Sequence, residues 1–179
     1  MRLIEYVKIN PSNKWAWIYL SENKQISINE ILNNLNLPWK REHVSMRDDI
    51  TINIVLNNMD FPWCWYQLSK NKAISFNDIS NNKILPWIWE FVSFRDDIDF
   101  DFVVNNPDYK WKWSNISKHS NLTLDKLKNN MNLPWNSCYL SKNPNITPEF
   151  VINNSHINWD YKMFSSHGKF TLEDTERYS

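Results

Sequence analysis

The chain has 179 residues, its 20 basic and 20 acidic side chains cancel to zero net charge, and it carries 11 tryptophans but one glycine. Zero net charge removes the whole-molecule field that gathers phosphate backbones or anionic membranes. A lone glycine, Gly168, excludes the phosphate-cradling loop and the dinucleotide fingerprint, which need several.

From the amino end, Met1 to Lys8 lacks the apolar core and small-residue cleavage site of a signal peptide, and no apolar run approaches the roughly 18 residues of a bilayer span. An intracellular location with no membrane association is expected. Residues 3–10 read as a lone helix. From Trp15 a tryptophan recurs at every twenty-fourth position, as Trp15, Trp39, Trp63, Trp87, Trp111, Trp135 and Trp159. A fixed period in this range is the signature of a stacked repeat array.

Each unit reads as two short helices of about 8 to 9 residues. The first is expected to start at the Pro-Trp step, as in Leu37-Pro38-Trp39 or Leu85-Pro86-Trp87, because proline is tolerated in a first helical turn. Asn36, Asp60, Asp108 and Asn132 are then the expected caps. This helix runs through an apolar residue (Leu20, Val44, Leu68, Val92, Ile116, Leu140, Phe164) into a serine six after the tryptophan. Those serines include Ser45, Ser69 and Ser93, expected to allow close helix approach or to bond a backbone carbonyl. The second helix is expected to start at Ser27, Thr51, Ser75, Asp99, Thr123, Thr147 and Thr171, whose side-chain oxygens suit N-caps, with Glu30 and Asp78 as capping-box partners. It ends at Asn-Asn pairs such as Asn33-Asn34 and Asn81-Asn82, read as supplying the left-handed residue that glycine would otherwise provide.

Helices this short are marginal alone, since isolated helices need roughly 12 to 15 residues in water. Stacking follows. The expected architecture is all-α, an α-solenoid of about seven helix-turn-helix repeats in a single elongated domain over 1–179, closed by a polar cap at about 165–179. The seven clock tryptophans and the serines are its structural core. Where a second tryptophan follows (Trp17, Trp65, Trp89, Trp113), both are expected on one helix, pointing about 200° apart.

No enzyme, cofactor or metal is expected. His43, His119, His156 and His167 occupy three different repeat positions with no cysteine or carboxylate at ligand spacing. Asp48-Asp49 and Asp96-Asp97 recur in equivalent loops, which suits salt links to Arg47 and Arg95 better than acid/base chemistry. Function is expected in the side chains that break the period, among them Lys40 and Lys112 just after the tryptophan, and Lys70, Phe94, Lys118 and Lys142 just after the serine. A protein partner is the first expectation. Nucleic acid read one unit at a time, favoured by the lysines of the later half, comes second, and a structural or virion component third. Self-association through the amino end is also expected, because the lone helix carries Leu3, Ile4 and Val7 with no preceding unit to cover them.

The unit Trp-x-Trp-x-x-Leu-Ser-x-Asn, followed by Ile-Ser/Thr, Ile-x-x-Asn-Asn and Pro-Trp, resembles the short tryptophan repeats in proteins of large amoeba-infecting DNA viruses. Pro62-Trp63-Cys64-Trp65 and Lys142 to Phe150 carry the likeness most closely, while Arg41, Ser137 and Tyr161 depart from it at the second tryptophan site. The resemblance implies a repeat architecture and a viral setting in a host cell. It transfers no catalytic residue.

Overall fold

The computed structural model describes residues 1–166, so Gly168, His167, Thr171 and most of the expected polar cap lie outside the described residues. These residues form two compact units, Met1–Ile88 and the described part of Trp89–Ser179. The first holds α1 (Leu3–Ile9), α2 (Trp17–Glu22), α3 (Ile28–Leu32), α4 (Arg41–Ser45), α5 (Ile52–Asn57), α6 (Trp65–Lys70) and α7 (Phe76–Asn81). The second holds α8 (Trp89–Val92), α9 (Phe100–Asn105), α10 (Trp113–Lys118), α11 (Leu124–Lys128), α12 (Ser137–Leu140), α13 (Pro148–Asn153) and α14 (Tyr161–Ser165). The described residues are all-α and contain no strand. From α2 onward the helix starts alternate a shorter and a longer step, as from Trp17 to Ile28 and from Ile28 to Arg41, and each pair of steps spans one repeat.

The helices are shorter than the sequence predicts, from four residues in α8 to seven in α1. For the first helix of each pair, the cause is that it does not start at proline. The clock tryptophan lies before the helix, and its N–H donates to the carbonyl two residues back. Trp39 bonds Leu37, Trp63 bonds Phe61 and Trp135 bonds Leu133, at 2.8, 2.8 and 2.7 Å. That bond closes a three-residue turn with Pro38, Pro62 or Pro134 at its centre, where a φ locked at about −65° fits and no N–H is required. Lys14 and Lys110 hold the same central place, with bonds of 2.9 and 2.6 Å closing over them. Asn36, Asp60, Asp108 and Asn132 are therefore not caps. The N-cap is the residue after the tryptophan, as at Ala16, Lys40, Cys64 and Lys112, none of which caps with its side chain. The two tryptophans of a unit thus stand on a turn and on the first helical residue, not on opposite faces of one helix.

The second helices start where expected. Ser27, Thr51, Ser75, Asp99, Thr123 and Thr147 accept first-turn N–H groups, and Glu30 and Asp78 complete capping boxes. Their ends differ from the expectation. Asn58, Asn82, Asn106 and Asn154 sit at φ of −137°, −120°, −134° and −125°, not in the left-handed region. The second asparagine of each pair instead turns its amide back to the carbonyl four residues earlier, at 2.7 to 2.8 Å from Asn34 through Asn154. A short side-chain donor placed there satisfies a carbonyl the ending helix leaves open, which glycine cannot do.

The core is one apolar residue from each periodic position. Leu20, Val44, Leu68, Ile26, Ile50, Ile74, Ile31, Val55 and Ile79 fill the first unit, and Val92, Ile116, Leu140, Ile98, Leu122, Ile146, Val103, Leu127 and Val151 the second. Helix α4 packs between α2 and α6, and α10 packs on α12. One or two turns bury little, so aromatic bulk compensates: a buried tryptophan removes roughly 150 to 250 Å² from water, worth about 4 to 6 kcal/mol before ordering entropy.

At the amino end, α1 is packed with Ile4 and Val7 buried and Leu3 half-buried. The first repeat covers it. The Arg2 guanidinium reaches Glu30 on α3 at 3.0 Å, and Tyr6 meets Trp15 edge-on at 6.0 Å.

Candidate interaction face

The periodic residues are consumed by the frame. Each clock tryptophan donates its indole N–H to the backbone carbonyl of the asparagine five residues before it, at 2.7 to 2.9 Å for all seven from Trp15–Asn10 to Trp159–Asn154. Its ring meets the second tryptophan of the preceding unit edge to face, with centroids 5.0 to 5.2 Å apart in Trp17–Trp39, Trp65–Trp87, Trp89–Trp111 and Trp113–Trp135. This is the geometry that aromatic quadrupoles favour.

Four of the serines, Ser21, Ser69, Ser93 and Ser141, work twice. Ser21, Ser69 and Ser93 donate to the carbonyl four residues earlier, at 2.7 Å. The same hydroxyls, with those of Ser45, Ser117 and Ser141, accept the N–H of the residue after the next tryptophan: Lys40, Cys64, Ile88, Lys112, Asn136 and Asp160, at 2.9 to 3.0 Å. The serines that are core by sequence, Ser45, Ser69 and Ser93, are fully buried. Only a small side chain with both a donor and an acceptor satisfies both partners there. Lys40 and Lys112 vary between units because the frame uses their backbone N–H and leaves their side chains in solvent.

A second ladder was not legible in the sequence. At Arg47, Asn71, His119 and Asn143, eight residues after a tryptophan, the side chain reaches back to a carbonyl of the preceding repeat. Arg47 donates to the Ser21 and Asn23 carbonyls at 3.4 and 3.1 Å, Asn71 to those of Ser45 and Arg47 at 2.9 and 2.8 Å, and Asn143 to those of Ser117 and His119 at 2.8 and 3.0 Å. The His119 Nε2 lies 2.9 Å from the Arg95 carbonyl. The signal was present as a position held by Asn, Arg or His, three residue types that share a donor but little else. Arg47 and Arg95 are buried and each holds a carboxylate as expected, Asp49 at 2.6 Å and Asp97 at 2.8 Å. Hydrogen bonding and charge from Arg47 hold the Asp49 carboxyl below the usual aspartate range, against partial burial that raises it. Asp48 pairs instead with Lys24 at 2.6 Å.

What the frame does not use is the outer side of the first-type helices. Four and seven residues after each tryptophan, side chains form two rows by repeat register. In the first unit these are Tyr19, His43, Gln67 and Glu22, Met46, Lys70; the His43 ring and Glu22 carboxylate lie 2.5 Å apart. In the second unit they are Phe91, Asn115, Tyr139, Met163 and Phe94, Lys118, Lys142, Ser166. The row at seven is the outer one: Glu22, Met46, Lys70, Phe94 and Lys118 are exposed and Lys142 is half-buried, whereas in the row at four Asn115 is buried and only Tyr19 is exposed. Lys70 thus belongs to this row in the first unit and Phe94, Lys118 and Lys142 to that of the second, whereas Lys40 and Lys112 stand apart at the helix caps. The lysines of the later half do not make one stripe: Lys126 is on α11 and pairs with Asp101, and Lys128 lies over the Phe150 ring at 5.9 Å.

Among the described residues no group of three or more His, Cys, Asp or Glu side chains is placed to hold a metal ion, and no helix is long and apolar enough to cross a membrane. Cys64 and Cys138 are free thiols, half-buried and not fully enclosed. No protein-family model, curated protein or solved structure matches the chain.

Proposed function

We propose that the chain is a non-catalytic α-solenoid scaffold that binds a protein partner through the outer row of its first-type helices. The observation that carries this is a division of labour within one short helix. Its inward residues are fixed by the serine, tryptophan and asparagine bonds, while the residues seven after the tryptophan are Glu22, Met46 and Lys70 in the first unit and Phe94, Lys118 and Lys142 in the second, with no common chemistry. A frame that holds position while its exposed side chains change chemistry is how repeat arrays read partners. Phe94 and Met46 are 59% and 53% exposed, so both apolar side chains are open to contact.

The nucleic-acid reading is weaker on two counts. The clock indoles are bonded into the frame and are not available as stacking platforms, and the lysines are divided between faces. The test is photo-crosslinking with a benzophenone side chain at Met46, Phe94 or Lys118, compared with Asn77 and Lys128 on second-type helices. Adducts to a discrete protein only from the row positions support the proposal. Equal adducts from both sets, or none, refute it.

A further inference from the structure

We propose that the outer face of α8, α10 and α12 takes an acidic peptide segment carrying an apolar side chain; this deepens the scaffold reading and rests on it. The face has an apolar end and a cationic end. At the first, Phe91 and Phe94 stack with centroids 6.3 Å apart and planes at 22°, leaving Phe94 mostly exposed. At the second, two ammonium groups share one ring. Lys118 at the end of α10 and Lys142 just after α12 hold their Nζ atoms 5.6 and 5.3 Å from the Tyr139 ring centroid.

The ring restrains both lysines and neutralises neither, since cation–π attraction leaves the charge in place. Neither makes an ion pair among the described residues, unlike Lys24 and Lys126, which have Asp48 and Asp101. Helices α8, α10 and α12 carry one acid, Glu90, against Lys118 and the adjoining Lys142. In the first unit the same rows bring Glu22 within hydrogen-bond distance of the His43 ring; in the second, Lys118 and Lys142 face an incoming carboxylate. Two restrained cations beside an aromatic pair match a peptide with carboxylates flanking an apolar anchor. Nucleic acid is the poorer match, because its affinity grows with the number of phosphates neutralised and this face offers few cations.

The experiment is fluorescence anisotropy on the full chain with three labelled probes: an acidic peptide of Glu and Leu, its analogue with every Glu replaced by Gln, and oligothymidylate. Binding of the acidic peptide should fall as salt is raised, the Gln analogue should bind more weakly, and Lys118→Glu with Lys142→Glu should weaken the acidic peptide about tenfold or more. Lys126→Glu with Lys128→Glu, on the other face, should leave it unchanged. Phe94→Ser should weaken it without altering the salt dependence.

Unchanged binding by the Lys118/Lys142 variant, equal binding of the Gln analogue, no binding of any probe, or tighter binding of oligothymidylate through the same lysines would each overturn the proposal. Thermal melting confirms that the variants are folded. Crosslinks from Met46 and Phe94 that persist in the Lys118/Lys142 variant would leave the scaffold reading standing and remove this one, whereas loss of crosslinking at every row position in the wild-type chain removes both.

Discussion

Ser69→Ala deletes one oxygen and two bonds. Ser69 is fully buried, donates to the Trp65 carbonyl at 2.7 Å and accepts the Ile88 N–H at 2.9 Å. Alanine favours the helix, so propensity does not oppose the change. The cost comes from the Ile88 N–H, which loses its acceptor in a part-buried site, and an orphaned donor of that kind costs about 1 to 2 kcal/mol. For a chain of this length, with about 2 to 4 °C per kcal/mol, the melting temperature should fall by about 2 to 8 °C. Urea denaturation should show a lower midpoint with an unchanged slope, and the Ile88 amide should exchange about 5 to 30 times faster. Ser80→Ala is the control: its hydroxyl bonds only the Asn77 carbonyl three residues back within α7, so it should stay within about 0.5 kcal/mol of the parent. If Ser69→Ala melts with Ser80→Ala, or Ile88 keeps its protection, the serine is not the link between repeats.

Arg47→Leu should destabilise the chain by about 1 to 3 kcal/mol in urea titrations, because it leaves the Ser21 and Asn23 carbonyls without their donor, while the exposed Asp49 carboxylate keeps water. Arg47→Asn should cost less, since Asn71 and Asn143 make the same two carbonyl bonds at equivalent positions. Asn115→Leu should be neutral or stabilising in thermal melts, because the buried Asn115 amide nitrogen has no acceptor and an apolar residue of similar size removes that penalty. Acid should weaken the fold. The Asp49 and Glu30 carboxyls are held below their ordinary range, chiefly by hydrogen bonds from Arg47 and from the Ser27 backbone. In acid the unfolded chain therefore binds more protons, and the contribution is whole above the ordinary carboxylate range and lost as pH falls through the lowered values. Urea midpoints measured from neutral pH into acid should fall, and less steeply in Asp49→Asn.

The period, the N-caps of the second helices and the apolar position before the serine were legible because each rests on a local rule: a tryptophan that returns at a fixed interval, a hydroxyl or carboxylate before a helix, an apolar residue in constant register. The start of the first helix was not. Proline is equally at home in a first helical turn and at the centre of a three-residue turn, and the Trp39-to-Leu37 bond decides between them only in the folded chain. The asparagine pairs do mark helix ends, but through the side-chain amide and not through φ, and the two modes look alike in sequence. The Arg47 and Asn71 ladder was hidden because its residues contact a unit 24 to 26 positions away and differ in size and charge. On the candidate face, the common row of Phe94, Lys118 and Lys142 followed from the repeat number alone, but the two lysines converging on Tyr139 required the structure.

The claim that the tryptophan clock belongs to the frame is tested most directly by solvent exchange of the indole N–H groups in a 15N-tryptophan-labelled chain, with and without the acidic peptide. The seven clock indoles donate to asparagine carbonyls, while Trp17, Trp65, Trp89 and Trp113 make no indole hydrogen bond among the described residues. The expected result is seven slowly exchanging signals that do not shift when the peptide binds, and four that exchange rapidly. Clock indoles that exchange freely, or that shift together on binding, would contradict it and move the tryptophans from the frame to the ligand face.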